Sequence, residues 1–128
     1  MKEFSAKNRY LLAAYEVGSE PGPIRSNEIA RRLGVTPPSV NKMMKTLIAY
    51  GVVNKRRYGE VRLTPEGIRQ ARLLQEQYNS LYTFFKTCRS EGEEAAKEDA
   101  LCMLSALSPE SLEGFLQLLC DNCPRNLN

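Results

Sequence analysis

The sequence predicts a mainly α fold with a small β-hairpin: a winged helix-turn-helix over residues 1–64, followed by a helical dimerisation domain over 65–128. Three observations predict it. Two helical patterns flank a glycine-containing turn in "NEIARRLGVTPPSVNKMMKTL". Alternating apolar residues with a basic tip follow in "GVVNKRRYGEVRLT", and helical apolar spacing then runs through the residues beyond Thr64. At 128 residues and 42% hydrophobic, the chain is long enough to bury a real core.

Taken in order, "KNRYLLAAYEV" sets Leu11, Leu12, Ala14 and Tyr15 at helical spacing, and the punctuation of "GSEPGP" (18–23) ends that helix. Ser26 is expected to cap a short helix with Ile29, Ala30 and Leu33 inward, Arg31 and Arg32 outward, and Gly34 at its stop. The next helix opens on Pro37 and Pro38, which the first turn tolerates because an N–H there has no intrahelical partner. Thr36 is its natural N-cap. Val40, Met43, Met44, Leu47 and Ile48 then recur at i, i+3, i+4, i+7 and i+8 and form one apolar face. Val52, Val53, Val61 and Leu63 read as a hairpin with its turn near Tyr58-Gly59. Thr64 is expected to cap a long helix carrying Ile68, Leu74, Tyr78, Leu81, Tyr82 and Phe85 as a broad apolar stripe. Ser90 and Glu93 suggest a capping box for another helix with Leu101, Leu104 and Leu107. A last helix carries Leu112, Phe115, Leu116 and Leu119.

Charge divides the chain. Residues 1–90 carry 16 Lys+Arg against 7 Asp+Glu, whereas residues 91–128 carry 2 against 8. The basic part suits a polyanion. A polar helix face usually does nothing but stay solvated, and basic hairpins are often only solubilising. Here the two lie next to each other on a helix-turn-helix, and the combination favours double-stranded DNA. In that arrangement the N-terminal turns of the second helix enter the major groove, so Thr36, Pro37, Pro38, Ser39, Asn41 and Lys42 are the candidates to reach base edges. Proline rings offer apolar edges to thymine methyls, and Lys42 can reach guanine or phosphate. Lys45, Lys55, Arg56 and Arg57, with Tyr58 among them, are candidate phosphate contacts. Ser26 and Asn27 at the start of the first helix complete the candidate set. The long stripe asks for partners, and Leu74, Tyr78, Leu81, Tyr82 and Phe85 are the expected interface of a homodimer, since two recognition helices one DNA turn apart require two-fold symmetry.

No apolar run approaches the roughly 20 residues of a membrane span, and the opening stretch lacks the apolar core of a signal peptide. A cytoplasmic protein without a membrane partner is the expectation. Four cysteines, Cys88, Cys102, Cys120 and Cys123, are too few for a secreted disulfide framework. With no histidine, no phosphate-cradling glycine loop and no nucleophile elbow, an enzyme is not expected.

The run from "RYLLAAYEV" to "ALSPESLEGF", roughly residues 8 to 119, resembles the metal-dependent repressors typified by the diphtheria-toxin repressor and the manganese-transport regulator. The resemblance rests on Asn27–Val40, similar to "DIAERLGVSPPSV", on Leu63, Thr64 and Gly67, and on Leu107 and Ser108. It implies a winged-helix domain, a helical dimerisation domain, and a metal that promotes operator binding. The positions that match the family's metal ligands here read Arg9, Leu12, Tyr78, Leu101, Leu104 and Ser105. None is a good ligand for manganese or iron(II), which require carboxylate or imidazole donors. Arg9 either puts a fixed positive charge where the metal would sit or is simply exposed. The expectation is therefore a dimeric DNA-binding regulator with no metal and no cofactor. Two alternatives stay open: a sensor in which Cys102, Cys120 and Cys123 bind zinc or another thiophilic metal, or respond to redox state; and a winged helix kept for protein–protein assembly.

Overall fold

A computed structural model describes residues 2–18, 24–55 and 60–122. The elements run α1 (Lys2–Gly18), β1 (Ile24–Arg25), α2 (Ser26–Leu33), α3 (Pro37–Ala49), β2 (Val53–Lys55), β3 (Glu60–Leu63), α4 (Pro65–Thr87), α5 (Glu93–Ala106) and α6 (Pro109–Asn122). They form two compact units that divide at Leu73/Leu74, within α4. None of the described helices is long and apolar enough to cross a membrane.

Three helices begin in the same way. A Ser or Thr precedes a proline, and its hydroxyl accepts from the N–H three residues after it: Thr36 from Ser39 at 3.3 Å, Thr64 from Gly67 at 3.0 Å, and Ser108 from Ser111 at 3.1 Å. Proline takes the first helical position, where no hydrogen bond is lost. Gly34 and Gly51 end α2 and α3 in the left-handed region, at φ 69° and 77°. That conformation lets Val35 N–H reach Ala30 O and Val52 N–H reach Leu47 O, closing each helix end.

In the unit of residues 2–73, α1 packs on α2 and α3, and their apolar faces meet. Leu11, Ala14, Ile29, Val40, Met44 and Leu47 are all excluded from solvent. The hairpin pairs antiparallel in the register Val53↔Leu63, Asn54↔Arg62 and Lys55↔Val61. A third strand, β1, joins it through Ile24↔Val61 and Arg25↔Glu60, so β3 is central. Two residues are too few to read as a strand from sequence.

In the unit that begins at Leu74, the core comprises Leu81 and Phe85 of α4, Ala96, Ala100 and Leu104 of α5, and Leu112 of α6. Phe84 meets Phe115 of α6 edge to face, with ring centroids 5.8 Å apart.

Three local expectations are corrected. Ser26 does not cap α2: β1 holds Arg25 extended at φ −117°, so Arg25 is the N-cap, without a side-chain bond, and Ser26 is already helical. Ser90 and Glu93 form no capping box, because Ser90 turns the chain at φ 56° and the N-cap is Gly92, which has no side chain. Ile48 leaves the apolar face of α3 and is 42% exposed. The turn expected near Tyr58-Gly59 lies outside the described residues.

Candidate nucleic-acid interface

On α3 the two faces separate cleanly. Val40, Met44 and Leu47 are fully buried, while Thr36, Pro37, Pro38, Ser39, Asn41, Lys42 and Lys45 are all exposed. Burial of the first set fixes how α3 is rotated about its axis, which turns the second set outward as a contiguous strip. The Thr36 and Ser39 hydroxyls lie 2.9 Å apart, holding the leading turn together. Among the described residues, neither Lys42 nor Lys45 enters an ion pair with a carboxylate, whereas on α2 Arg31 pairs with Glu28 and Arg32 lies 3.9 Å from Glu16 of α1.

The base of the wing is tied to the end of α3 by one side chain. Thr64 donates through Oγ1 to Gly51 O at 2.7 Å and accepts from Gly67 N–H. Its own N–H donates to Val52 O at 3.1 Å. Gly67 is required here, because a Cβ on it would sit 2.0 Å from Val52 O. The Leu-Thr-x-x-Gly pattern thus locks hairpin, α3 and α4 at one point.

Alternation along β3 buries Val61 and exposes Arg62, whose Nε lies 3.3 Å from Glu60. Arg25, exposed on β1 beside Glu60, joins the same sheet. Sequence reasoning missed Arg25 because its placement depends on a strand pairing. Lys55 ends β2, while Arg56, Arg57 and Tyr58 lie outside the described residues. Asn27 is exposed, but Ser26 is only 8% exposed and its hydroxyl points into the unit with no partner among the described residues. Ser26 is therefore withdrawn as a DNA contact.

The expected dimer face is also revised. Leu81 and Phe85 are buried in the core of their own unit; Leu74, Tyr78 and Tyr82 stay half-exposed, with the two tyrosine rings stacked at 6.2 Å.

The positions that match the metal ligands of the resembled repressors do not suit a metal. Leu12 and Leu104 are aliphatic and buried, Leu101 is aliphatic and half-buried, and Ser105 is buried among helix residues. Among the described residues, no group of three His, Cys, Asp or Glu side chains could hold an ion. Cys88, Cys102 and Cys120 are free, exposed thiols, and Cys102 donates to Glu98 at 3.4 Å. Cys123 lies outside the described residues.

Comparison with known proteins follows from this geometry. A family model described as "Domain of unknown function (DUF8462)" matches residues 2–70. The "Uncharacterized HTH-type transcriptional regulator MJ0568" of Methanocaldococcus jannaschii is 33% identical over 91 residues, covering 71% of this chain and 73% of that protein. "Transcriptional regulator MntR" of Salmonella typhimurium is 35% identical over 97 residues, 76% of this chain and 61% of that one. Among solved structures, ScaR with bound Zn2+ superposes with a TM-score of 0.69 at 29% identity, over 88% of this chain and 53% of that one. The chain thus spans 61% of the length of this MntR and 53% of that of ScaR.

Proposed function

The chain belongs to the metal-dependent transcriptional regulators, within the group described as "Domain of unknown function (DUF8462)", and from that premise we propose a sequence-specific DNA-binding regulator that acts as a homodimer. The observation that carries this is the exposed strip of α3, with its two lysines free of carboxylate partners among the described residues. Pro37, Pro38, Ser39, Asn41 and Lys42 read base edges; Lys45 and the wing residues Lys55, Arg56 and Arg57 contact phosphates and set affinity for all sequences. Thr36, Asn27 and Tyr58 flank those contacts. A two-fold operator is bound by two copies that meet through Leu74, Tyr78 and Tyr82. A cytoplasmic location belongs to the same proposal.

We further propose that manganese and iron(II) do not control it. Its relatives' title names the metal-regulated class, yet here the matching positions carry Arg9, Leu12, Tyr78, Leu101, Leu104 and Ser105, which supply no donor set. No cofactor is part of the proposal.

The test starts with duplexes selected from genomic DNA. Affinity for the selected duplex is measured in chelator and again with excess Mn²⁺ or Fe²⁺. Equal dissociation constants are expected. A tightening of about tenfold or more, equivalent to about 1.4 kcal/mol, overturns the metal-independent reading. Failure to enrich any sequence over random duplex overturns the DNA-reading itself.

A further inference from the structure

We propose that Glu91 and Asp99 form a proton-operated latch on the connection between α4 and α5: a protonated Glu91 carboxyl bonded to Asp99 holds the connection closed, and ionisation of Glu91 releases it. This proposal concerns the unit that begins at Leu74 and stands apart from the reading of α3.

The backbone delivers Glu91 to Asp99. Residues 88–92 turn the chain from α4 into α5, and Ser90 makes the turn at φ 56°, a left-handed conformation that a residue with a Cβ adopts only under constraint. The constraint is visible in the hydrogen bonds. Cys88 and Arg89 N–H both donate to Phe84 O, at 2.8 and 3.3 Å, and Glu91 N–H donates to Phe85 O at 3.0 Å. Gly92 then caps α5 without a side chain, which leaves the helix start uncluttered. Glu91 is carried back against α5, where its carboxyl meets that of Asp99.

The chemistry of the pair favours one shared proton. Glu91 Oε1 is buried and has no hydrogen-bond partner among the described residues, a poor environment for a full negative charge. Burial, the hydrogen bond to Asp99 and the charge of Asp99 all push the Glu91 carboxyl up, and Arg89 beside it on the connection is the one opposing influence. Asp99 from α5 and Arg89 from the connection are the charged groups that act on it. Two carboxylates in contact titrate as a pair, and the first proton lost is lost reluctantly.

The sign follows. A carboxyl whose folded pKa lies above its unfolded value contributes stability that is complete below the unfolded value and is lost as pH rises through the folded one. Acid therefore closes the connection and alkali loosens it. Most native carboxylates, held by positive partners, behave in the opposite way.

The experiment is amide hydrogen exchange on the full chain at Arg89 and Glu91, corrected for the intrinsic rate at each pH, from about pH 4 to about pH 8, a range that brackets carboxyl titration and its upward tail. The Glu91 carboxyl is followed in parallel by ¹³C NMR. Protection of the two amides is expected to fall as Glu91 titrates. Glu91→Gln, whose amide donates at every pH, should keep that protection throughout, and Asp99→Asn should move the Glu91 titration to lower pH. A wild-type protection independent of pH, a fall that survives in Glu91→Gln, or a Glu91 titration unmoved by Asp99→Asn would each overturn the latch. Should Glu91→Gln not fold, the Asp99→Asn titration still decides.

Discussion

Replacing Gly67 with alanine tests the point where hairpin, α3 and α4 are locked together. An ideal Cβ at residue 67 would stand 2.0 Å from the Val52 carbonyl oxygen and 2.9 Å from its carbon. That carbonyl has little freedom, since it accepts Thr64 N–H at 3.1 Å in a turn also closed by the Thr64 hydroxyl on Gly51 O. Alanine gains at most about 1 kcal/mol in helix propensity. Against that gain, overpacking a close contact costs about 1–3 kcal/mol, and a backbone clash belongs at the top of the range. The net loss is about 2 kcal/mol, which lowers the melting temperature by about 8–16 °C at about 4–8 °C per kcal/mol for a unit of this size. Gly114 supplies the opposite case. It lies within α6 with nothing within 4 Å of its ideal Cβ, so Gly114→Ala keeps only the propensity gain of about 0.5–1 kcal/mol. Thermal unfolding followed by circular dichroism reads both variants. If G67A melts at or above the wild-type temperature, steric contact at Val52 does not explain the glycine.

Leu81→Ala should cost about 2–5 kcal/mol as a core deletion, detected by chemical denaturation, while Tyr78→Glu should leave folding intact and lower the mass seen in sedimentation; an unchanged mass removes α4 from the dimer proposal. Alanine at Lys55, Arg56 and Arg57 together should make the salt dependence of DNA binding shallower by about one log–log unit per lost phosphate contact, and a slope equal to that of wild type would deny the wing a role. Glu66 is held down to about 2 by hydrogen bonds from Arg69 and Gln70. Its folded pKa lies below the unfolded one, so its contribution is present at neutral pH and is lost as pH falls through the carboxylate range toward about 2. The melting temperatures of wild type and Glu66→Gln should therefore converge in acid; a difference constant with pH would contradict the assignment.

Local patterns were legible in the sequence, and features set by distant partners were not. Thr36 and Thr64 could be read as caps because the hydroxyl, the proline and the bonded N–H lie within four residues of one another. Ser26 fits the same preference but fails as a cap, because β1 pairs with β3 far along the chain and shifts the helix start by one residue. Ser90 fails for a related reason: the turn out of α4 takes its backbone into the left-handed region before α5 begins. The outward strip of α3 was legible because its period is fixed once Val40, Met44 and Leu47 are recognised as core. Arg25 was not, since only the third strand brings it beside the wing. Leu81 and Phe85 show the limit of an apolar stripe, which looks the same whether its own unit or a second copy covers it.

The most direct test of the account is the ratio of affinities for a selected duplex and a random duplex of equal length, measured at one salt concentration for wild type and Ser39→Ala/Lys42→Ala. Both side chains are exposed on α3, so the melting temperature should change little. The account predicts that the ratio collapses in the α3 variant, because each lost base contact removes about 1–3 kcal/mol of discrimination, while alanines at Lys55, Arg56 and Arg57 weaken both duplexes alike and preserve it. An α3 variant that discriminates as well as wild type would contradict the claim that this helix reads DNA.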